Sequence, residues 1–124
     1  MKATEIIRKD MARNGMSADE QRFLDGLAEV IKQKKATLLQ SGDTVLIIFR
    51  RSEDTAEVLM FTQDTMQNIA KAMKAFYAKV RGQGIKKAVA ESVRPAIAEI
   101  AKASGIPMQA TKNGANVRLE MEIR

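Results

Sequence analysis

The fold of this chain is decided by residues 56–91, which read AEVLMFT (56–62), QDTMQNIAKAMKAFYAKVRGQG (63–84) and IKKAVAE (85–91). The first and last segments are short apolar runs typical of strands, and the long middle segment has the periodicity of an amphipathic helix. Its apolar residues recur three and four positions apart and share one face that can lie against a sheet: Met66, Ile69, Met73, Phe76, Tyr77 and Val80. The stretch therefore predicts a parallel βαβ unit.

The helix predicted in this unit has recognisable ends and carries most of the net charge. Asp64 followed three residues later by Gln67 is a start signal of the capping-box type, and Gly82 and Gly84 supply the stop. Residues 64–87 contain six basic side chains and one acidic one, so they contribute +5 to the +6 net charge of the chain. The other residues are therefore nearly neutral as a group.

Length and composition exclude several kinds of site. With 124 residues, of which 45% are hydrophobic and 29% charged, the chain is expected to form one globular domain, 1–124, with 1–16 as an N-terminal helical extension. It contains no cysteine and no histidine, so thiol and histidine catalysis are excluded and no metal is expected. Because no apolar run is long enough to span a bilayer, we expect no membrane partner and a cytoplasmic or virion location.

Two helices are predicted at the N-terminus. The first covers residues 4–14 and has an apolar side formed by Ile6, Ile7 and Met11. Ser17 with Glu20 is a capping box that begins the second helix, which ends at the cationic segment KQKK (32–35). Lysines at a helix C-terminus complement its dipole, so no ligand is needed to explain them.

Three strands are predicted between these helices and the central helix. Extended runs at 37–40, 44–51 and 55–62 are separated by short polar turns, which indicates an antiparallel meander. The middle run contains VLIIF (45–49), which is apolar throughout and is expected to be buried on both faces of the sheet.

A last helix and a hairpin are predicted after the central unit. The helix covers residues 92–104 and stops at Gly105. Residues 107–111 and 116–123 pair as a hairpin across residues 112–114, where Asn-Gly favours a type I′ turn. The predicted fold class is α/β with a mixed α+β sheet: two N-terminal helices, an antiparallel meander, a βαβ unit, a helix and a C-terminal hairpin.

In this order of elements the chain resembles the GNAT acetyltransferase superfamily, over about residues 17–123. The strand that usually comes first is replaced by the helix at 4–14. In size the chain is also similar to short proteins of this type that tailed phages encode, some of them virion components. The resemblance implies a GNAT-like fold, and with it a place for acetyl-CoA.

The resemblance implies that the pyrophosphate of acetyl-CoA would be held by backbone amides at the start of the central helix, in the pattern Gln/Arg-x-x-Gly-x-Gly/Ala. The candidate cofactor-binding residues are those of the matching window whose backbone could meet an anion: Gln63, Met66, Gln67 and Asn68. Met66 and Asn68 stand where small residues are usual, and Asp64 places a negative charge beside the expected phosphates. We therefore favour a helix-capping role for this window over a cofactor-binding one.

The resemblance also implies candidate catalytic groups. The general base of the family is often a glutamate on the strand before the central helix or at the end of the next strand, which points to Glu57 and Glu91. Glu57 shares a strand face with Leu59, and burial beside it would suit Glu57 to this role. The family's tyrosine acid is replaced by Ala101, and Tyr77 lies on the apolar face of another helix, so we expect Tyr77 to be a core residue with its hydroxyl at the edge.

The basic cluster of the central unit admits three interpretations. Its candidate anion-binding or nucleic-acid-binding residues are Lys71, Lys74, Arg81, Lys86 and Lys87. They can form a solvated helix face, a surface for a phosphate backbone, or a contact for the phosphates of acetyl-CoA. We favour the solvated face and place nucleic acid second, since the chain has only five aromatic residues for stacking on bases.

Three hypotheses about function follow. The leading one is a non-catalytic interaction or structural module with a protein partner or a homo-oligomer and no cofactor, because the two small residues and the usual tyrosine are missing; a phage virion or accessory protein is one such case. The second is a divergent acetyl-CoA-dependent N-acetyltransferase. The third is a sequence-independent nucleic-acid-binding protein.

Overall fold

A computed structural model of the protein describes residues 2–13, 15–92, 104–114 and 116–124. Its helices are α1 (Ala3–Arg13), α2 (Glu20–Lys32) and α3 (Met66–Gly82), and a short 3-10 turn (Ser17–Asp19) precedes α2. Its strands are β1 (Ala36–Ser41), β2 (Thr44–Arg50), β3 (Thr55–Thr62), β4 (Lys87–Ser92), β5 (Met108–Asn113) and β6 (Asn116–Glu122). The helix predicted at 92–104 falls almost entirely on residues 93–103, which lie outside the described residues, as does Ala101.

All six strands belong to one sheet with the order β1-β2-β3-β4-β6-β5. The first three strands form an antiparallel meander, and β5 and β6 form an antiparallel hairpin whose second strand lies beside β4. The central pair β3 and β4, joined by α3, is parallel. This confirms the βαβ unit and the mixed α/β fold predicted from the sequence.

The sheet has a helical layer on each face, because alternate residues of a strand point to opposite sides. On one face, Phe76 and Val80 of α3 pack with Leu46, Val58 and Ala88 of the sheet. On the other face, residues of α1 and α2 pack against β1 and β2 in a second buried cluster, which includes Ile6, Ile7, Met11, Leu24, Leu27, Val45 and Ile47. Residues 45–48 of β2 are thus buried from both sides, in agreement with the apolar run.

Two predicted helix starts are wrong. Ser17 does not cap α2: residues Ser17–Asp19 form the 3-10 turn, the α-helix begins at Glu20, and no side chain caps either segment. At α3 the N-cap is Thr65 rather than Asp64, and its side chain accepts a long hydrogen bond from the Asn68 amide at 3.4 Å. Asp64 does not serve as the cap because its carboxylate is hydrogen-bonded to the β1–β2 turn.

The predicted C-terminal turn is displaced along the chain. Asn113 pairs with Asn116 across the hairpin, so the strands extend beyond the predicted turn at 112–114 and Asn-Gly does not occupy its centre. Gly114 has a φ of 65°, which suits a glycine at the chain reversal. Within the described residues, none of the helices has both the length and the apolar character required to cross a bilayer.

Candidate functional site

The parallel strands β3 and β4 pair at one end only. Their register joins Thr55–Val58 to Lys87–Ala90, after which β3 continues to Thr62 and β4 to Ser92 without pairing to each other. Backbone N–H and C=O groups alternate in direction along an antiparallel pair, so Met60 and Thr62 direct theirs away from β2 and towards β4. We call the space beside residues 59–62 of β3 and 91–92 of β4 the strand gap.

The start of α3 lies at the open end of the strand gap. The first-turn amides of Met66 and Gln67 have no acceptor among the described residues, as expected where a helix begins. The Met66 side chain is 59% exposed. Gln63 donates a hydrogen bond from its side-chain amide to the Thr62 carbonyl at 2.8 Å. A helix N-terminus of this kind can receive an anion such as a phosphate group.

Asp64, which the sequence placed beside the expected phosphates, has its carboxylate engaged elsewhere. Oδ2 accepts hydrogen bonds from the Asp43 amide at 2.8 Å and from the Thr44 hydroxyl at 3.0 Å, and Oδ1 accepts one from the Asn68 side chain at 3.2 Å. Glycine suits position 42, because its φ of 59° is rare for other residues and an ideal Cβ there would lie 3.1 Å from Oδ2. Asp64 therefore braces the β1–β2 turn against the start of α3.

A buried acid of α1 reaches the end of β3, and sequence reasoning missed it. Asp10 is only 5% exposed, and its Oδ2 accepts a hydrogen bond from the Thr62 amide at 2.7 Å. Arg13 donates to the Thr62 carbonyl at 2.9 Å and lies 3.4 Å from Asp10 Oδ2. The sequence signal was an aspartate at helical spacing from Ile6 and Ile7, on the apolar side of α1.

A hollow of about 340 Å³ lies at the closed end of the strand gap, on the sheet face that also carries α1 and α2. It is lined by residues of three neighbouring strands and one turn: Arg51, Thr55, Ala56, Glu57, Leu59, Val89 and Arg118. Glu57 Oε2 accepts a hydrogen bond from Arg51 Nε at 2.7 Å, and Arg118 Nε lies 3.5 Å from Glu120. The lining of the hollow therefore includes one carboxylate and two guanidinium groups, each of which already lies beside a carboxylate.

The two candidate catalytic residues differ in what the structure shows. The Glu57 side chain is 41% exposed and pairs with Arg51 beside the hollow, and its role as a base stays a prediction. Glu91 lies in β4 opposite Arg118 of β6, and its side chain is outside the description. Tyr77 is confirmed as an edge-of-core residue, since its hydroxyl accepts from the Arg124 amide at 2.8 Å and donates to the Arg124 carbonyl at 3.1 Å.

The basic residues do not form one surface. Lys71, Lys74 and Arg81 are exposed along the outer side of α3. Lys87 precedes Ala88, which packs under α3, so Lys87 points to the opposite face of the sheet, where it lies 3.5 Å from Glu120. Binding of a nucleic acid by this cluster stays a prediction, now restricted to the α3 residues.

The fold is a mixed sheet with one short parallel pair, and the start of α3 and the hollow both lie beside that pair. No protein-family model matches the sequence, and no curated protein matches it. Solved structures do match. An aminoglycoside 6'-acetyltransferase type Ii superposes with a TM-score of 0.69 at 8% identity, over 98% of this chain and 87% of that one.

Two further solved structures also superpose on this chain. A GNAT family acetyltransferase from Elizabethkingia anophelis with acetyl-CoA bound has a TM-score of 0.51 at 12% identity, with 76% of this chain and 82% of that chain covered. The AHL synthase LasI has a TM-score of 0.54 at 12% identity over 66% of this chain, which spans only 59% of that protein. This chain therefore has a GNAT-like fold.

These comparisons correct the leading hypothesis drawn from the sequence. A non-catalytic interaction or structural module was wrong as the first choice, because the matching solved structures are named as enzymes and they point to the acetyltransferase alternative. The expectation of no cofactor has no support from them either, since one of the matching structures contains acetyl-CoA. Binding of acetyl-CoA at the start of α3 in this chain stays a prediction, since Met66 and Asn68 stand where small residues are usual.

Proposed function

We propose that the protein is an N-acetyltransferase that uses acetyl-CoA as its acetyl donor. The observation that carries the proposal is the strand gap, which runs from the free amides of α3 to the Glu57 hollow. Glu57 and Thr62 are five residues apart on β3, which corresponds to about 17 Å along a strand. This length is comparable to that of a pantetheine arm, so one donor molecule can reach both ends.

The described residues fit such a donor. The N–H groups of Met66 and Gln67 would donate hydrogen bonds to the pyrophosphate, because they have no other acceptor in the described structure. The Met60 backbone, directed into the strand gap, would pair with the amide groups of the pantetheine as a neighbouring strand would. Thr62 would contribute less to this pairing, since Asp10 and Arg13 already bind its backbone. When bound, acetyl-CoA supplies a thioester that is open to attack by an amine.

Glu57 is the group that would prepare the amine. Its carboxylate would take a proton from the acceptor ammonium, directly or through one water, while Arg51 keeps the carboxylate in place. The amine nitrogen would then bond to the acetyl carbonyl carbon and give up a second proton to water, the carbon–sulfur bond would break, and the leaving thiolate would take up a proton from that water. Tyr77 is not available for that last proton, because both roles of its hydroxyl are used by Arg124.

The hollow also suggests a class of acceptor. Arg51 and Arg118 line the hollow together with Glu57, and each already lies beside a carboxylate of the chain. A guanidinium group has further N–H donors, so an acceptor with a negative group beside its amine, such as an amino acid or a peptide N-terminus with a nearby carboxylate, would still find donors there. A polyamine would meet two guanidinium groups and bind less well.

The test is calorimetric titration of the full chain with acetyl-CoA, followed by measurement of thiol release with matched acceptors. We expect saturable binding, and faster release with amino acids than with the corresponding amino acid amides. Absence of binding at millimolar acetyl-CoA, together with no thiol release, would refute the enzyme. Equal rates with acids and amides would refute the acceptor class alone.

A further inference from the structure

The sheet carries a second hollow, of about 480 Å³, beside strands β4, β5 and β6. Gln109 and Glu120 are among the residues that line it. Their neighbours in sequence, Met108 and Met121, pack with the buried cluster under α3, so Gln109 and Glu120 point to the opposite face of the sheet. The Glu57 hollow lies on that face as well. The two hollows therefore open on one side of the sheet.

The strand register places the two hollows in line. Glu57 of β3 lies opposite Val89 of β4. Val89 in turn lies opposite Glu120 of β6, which lies opposite Gln109 of β5. Because opposed residues of neighbouring strands point to the same face, these four side chains form a line across the sheet, which we call the cross-strand row. Neighbouring strands are about 4.8 Å apart, so the row is about 14 Å long.

The cross-strand row is accessible from solvent along its length. The side chains of Glu57 and Glu120 are 41% and 39% exposed. Gln109 at the far end is exposed, and Val89 between the two glutamates is half-buried. Valine is shorter than glutamate, so it leaves a shallow trough between the carboxylates. A ligand that lies along the row would therefore contact the residues of both hollows.

The chemistry of the second hollow suits neutral polar groups. Two lysines and two glutamates line it, so its side chains carry no net charge. Glu120 lies 3.5 Å from both Lys87 and Arg118, so its carboxylate is already paired. The side-chain amide of Gln109 has no hydrogen-bond partner among the described residues. Such an amide can donate to and accept from a peptide group, which has one N–H and one C=O.

We propose that the acceptor is the N-terminus of a polypeptide that lies in extended form along the cross-strand row. This inference rests on the proposed acetyl transfer, since Glu57 sets the position of the acceptor amine. An extended chain advances about 3.4 Å per residue, so four steps cover the row, from a first residue at Glu57 to a fifth residue at Gln109. A free amino acid would occupy the first hollow only.

Peptides of increasing length test this proposal. A suitable series begins with glutamate, continues with alanine and ends in an amide, so that the negative group beside the amine is the same at every length. We expect kcat/KM for acetyl transfer to rise at least about tenfold between two and five residues and to stay constant from five to seven. Equal kcat/KM at all lengths would overturn the inference and leave the acetyltransferase in place.

Gln109→Ala and Gln83→Ala are matched variants, because both remove an exposed glutamine side chain and Gln83 lies at the end of α3, on the other side of the sheet. Gln109→Ala should lower kcat/KM about three- to tenfold for the five-residue peptide and leave the two-residue peptide unchanged, whereas Gln83→Ala should change neither. Equal effects of the two variants would refute the row.

Fluorescence anisotropy of the five-residue peptide, labelled at its C-terminus, measures binding without acetyl-CoA and so separates the peptide site from the chemistry. We expect binding that Gln109→Ala weakens and Gln83→Ala does not. If this pattern is found but no acetyl transfer occurs, the peptide site stands and the proposed enzyme falls. Transfer to the peptide with no binding difference between the two variants would overturn the row and keep the enzyme.

Discussion

Replacement of Met66 by proline removes one proposed phosphate contact and leaves the fold intact. Met66 is the first residue of α3, where the N–H has no partner within the helix and proline is well tolerated. The preceding residue, Thr65, has φ −74° and ψ 162°, close to the extended conformation that a residue before proline adopts. The Met66 side chain is 59% exposed, so its loss leaves no cavity.

The expected effect can be estimated from the lost hydrogen bond. A bond between a backbone N–H and a charged phosphate contributes about 1.5–3 kcal/mol, which corresponds to a loss of acetyl-CoA affinity between about tenfold and somewhat over a hundredfold. The free energy of unfolding should change by less than about 0.5 kcal/mol. The effect should therefore appear in ligand binding and leave the stability of the free protein almost unchanged.

Isothermal titration with acetyl-CoA measures the loss, and Met66→Ala is the matched control because it removes the same side chain and keeps the amide. S-acetylpantetheine, which lacks the pyrophosphate, should bind the proline variant and the wild type equally. Urea unfolding of each variant checks the stability. If Met66→Pro binds acetyl-CoA as tightly as Met66→Ala does, the anion site is not at the start of α3.

Three further predictions concern the base, the buried acid and the cationic helix. Glu57→Gln should lower the rate of acetyl transfer by about 10²–10⁴-fold in steady-state kinetics, while calorimetry should show an unchanged affinity for acetyl-CoA. A rate near that of the wild type would exclude Glu57 as the base. Asp10→Ala should lower the free energy of unfolding, measured in urea, by about 1–3 kcal/mol, because a buried amide loses its acceptor. Asp10→Asn keeps an acceptor oxygen and should lower it less, and equal stability of wild type and Asp10→Ala would contradict this. Replacement of Lys71, Lys74 and Arg81 by glutamate should abolish any salt-sensitive binding of single-stranded DNA, as measured by fluorescence anisotropy. The Debye length is about 4 Å in 0.5 M salt, so binding that survives both the replacement and this salt concentration would exclude this surface.

The parts of the fold that depend on local patterns were predictable from the sequence. The βαβ unit was recognised because Ile69, Met73, Phe76 and Val80 follow helical spacing, and all four are buried against the sheet. The strand order of the meander followed from short polar turns between apolar runs. These features depend on residues that are close together in the sequence, so one amino-acid sequence is sufficient to predict them.

Features that depend on partners distant in sequence were missed. Asp64 looked like a helix cap. Its carboxylate instead accepts hydrogen bonds from Asp43 and Thr44, about twenty residues earlier in the chain. Asp10 acquires its role from Thr62, which lies 52 positions away. The position of the Glu57 carboxylate depends on Arg51 across a turn. No spacing rule encodes such pairings.

The candidate anion site was located from the sequence, and whether it binds an anion stays a prediction for a physical reason. A phosphate held by backbone amides leaves only an indirect trace in the side chains, in the form of small residues that ease its approach. Met66 departs from that trace, yet its amide has no protein acceptor in the described structure and its side chain is largely in solvent. Substitution of the small residue therefore does not establish loss of the site.

The carboxylate of Asp64 makes two distant segments interdependent. Its oxygens bind both the turn that follows β1 and the Asn68 side chain in the first turn of α3. A movement of the β1–β2 turn would therefore be passed to the first turn of α3 through this one side chain. Such coupling is reciprocal: an anion that bound at the start of α3 and steadied the turn would itself be bound more tightly when the turn is already held in place.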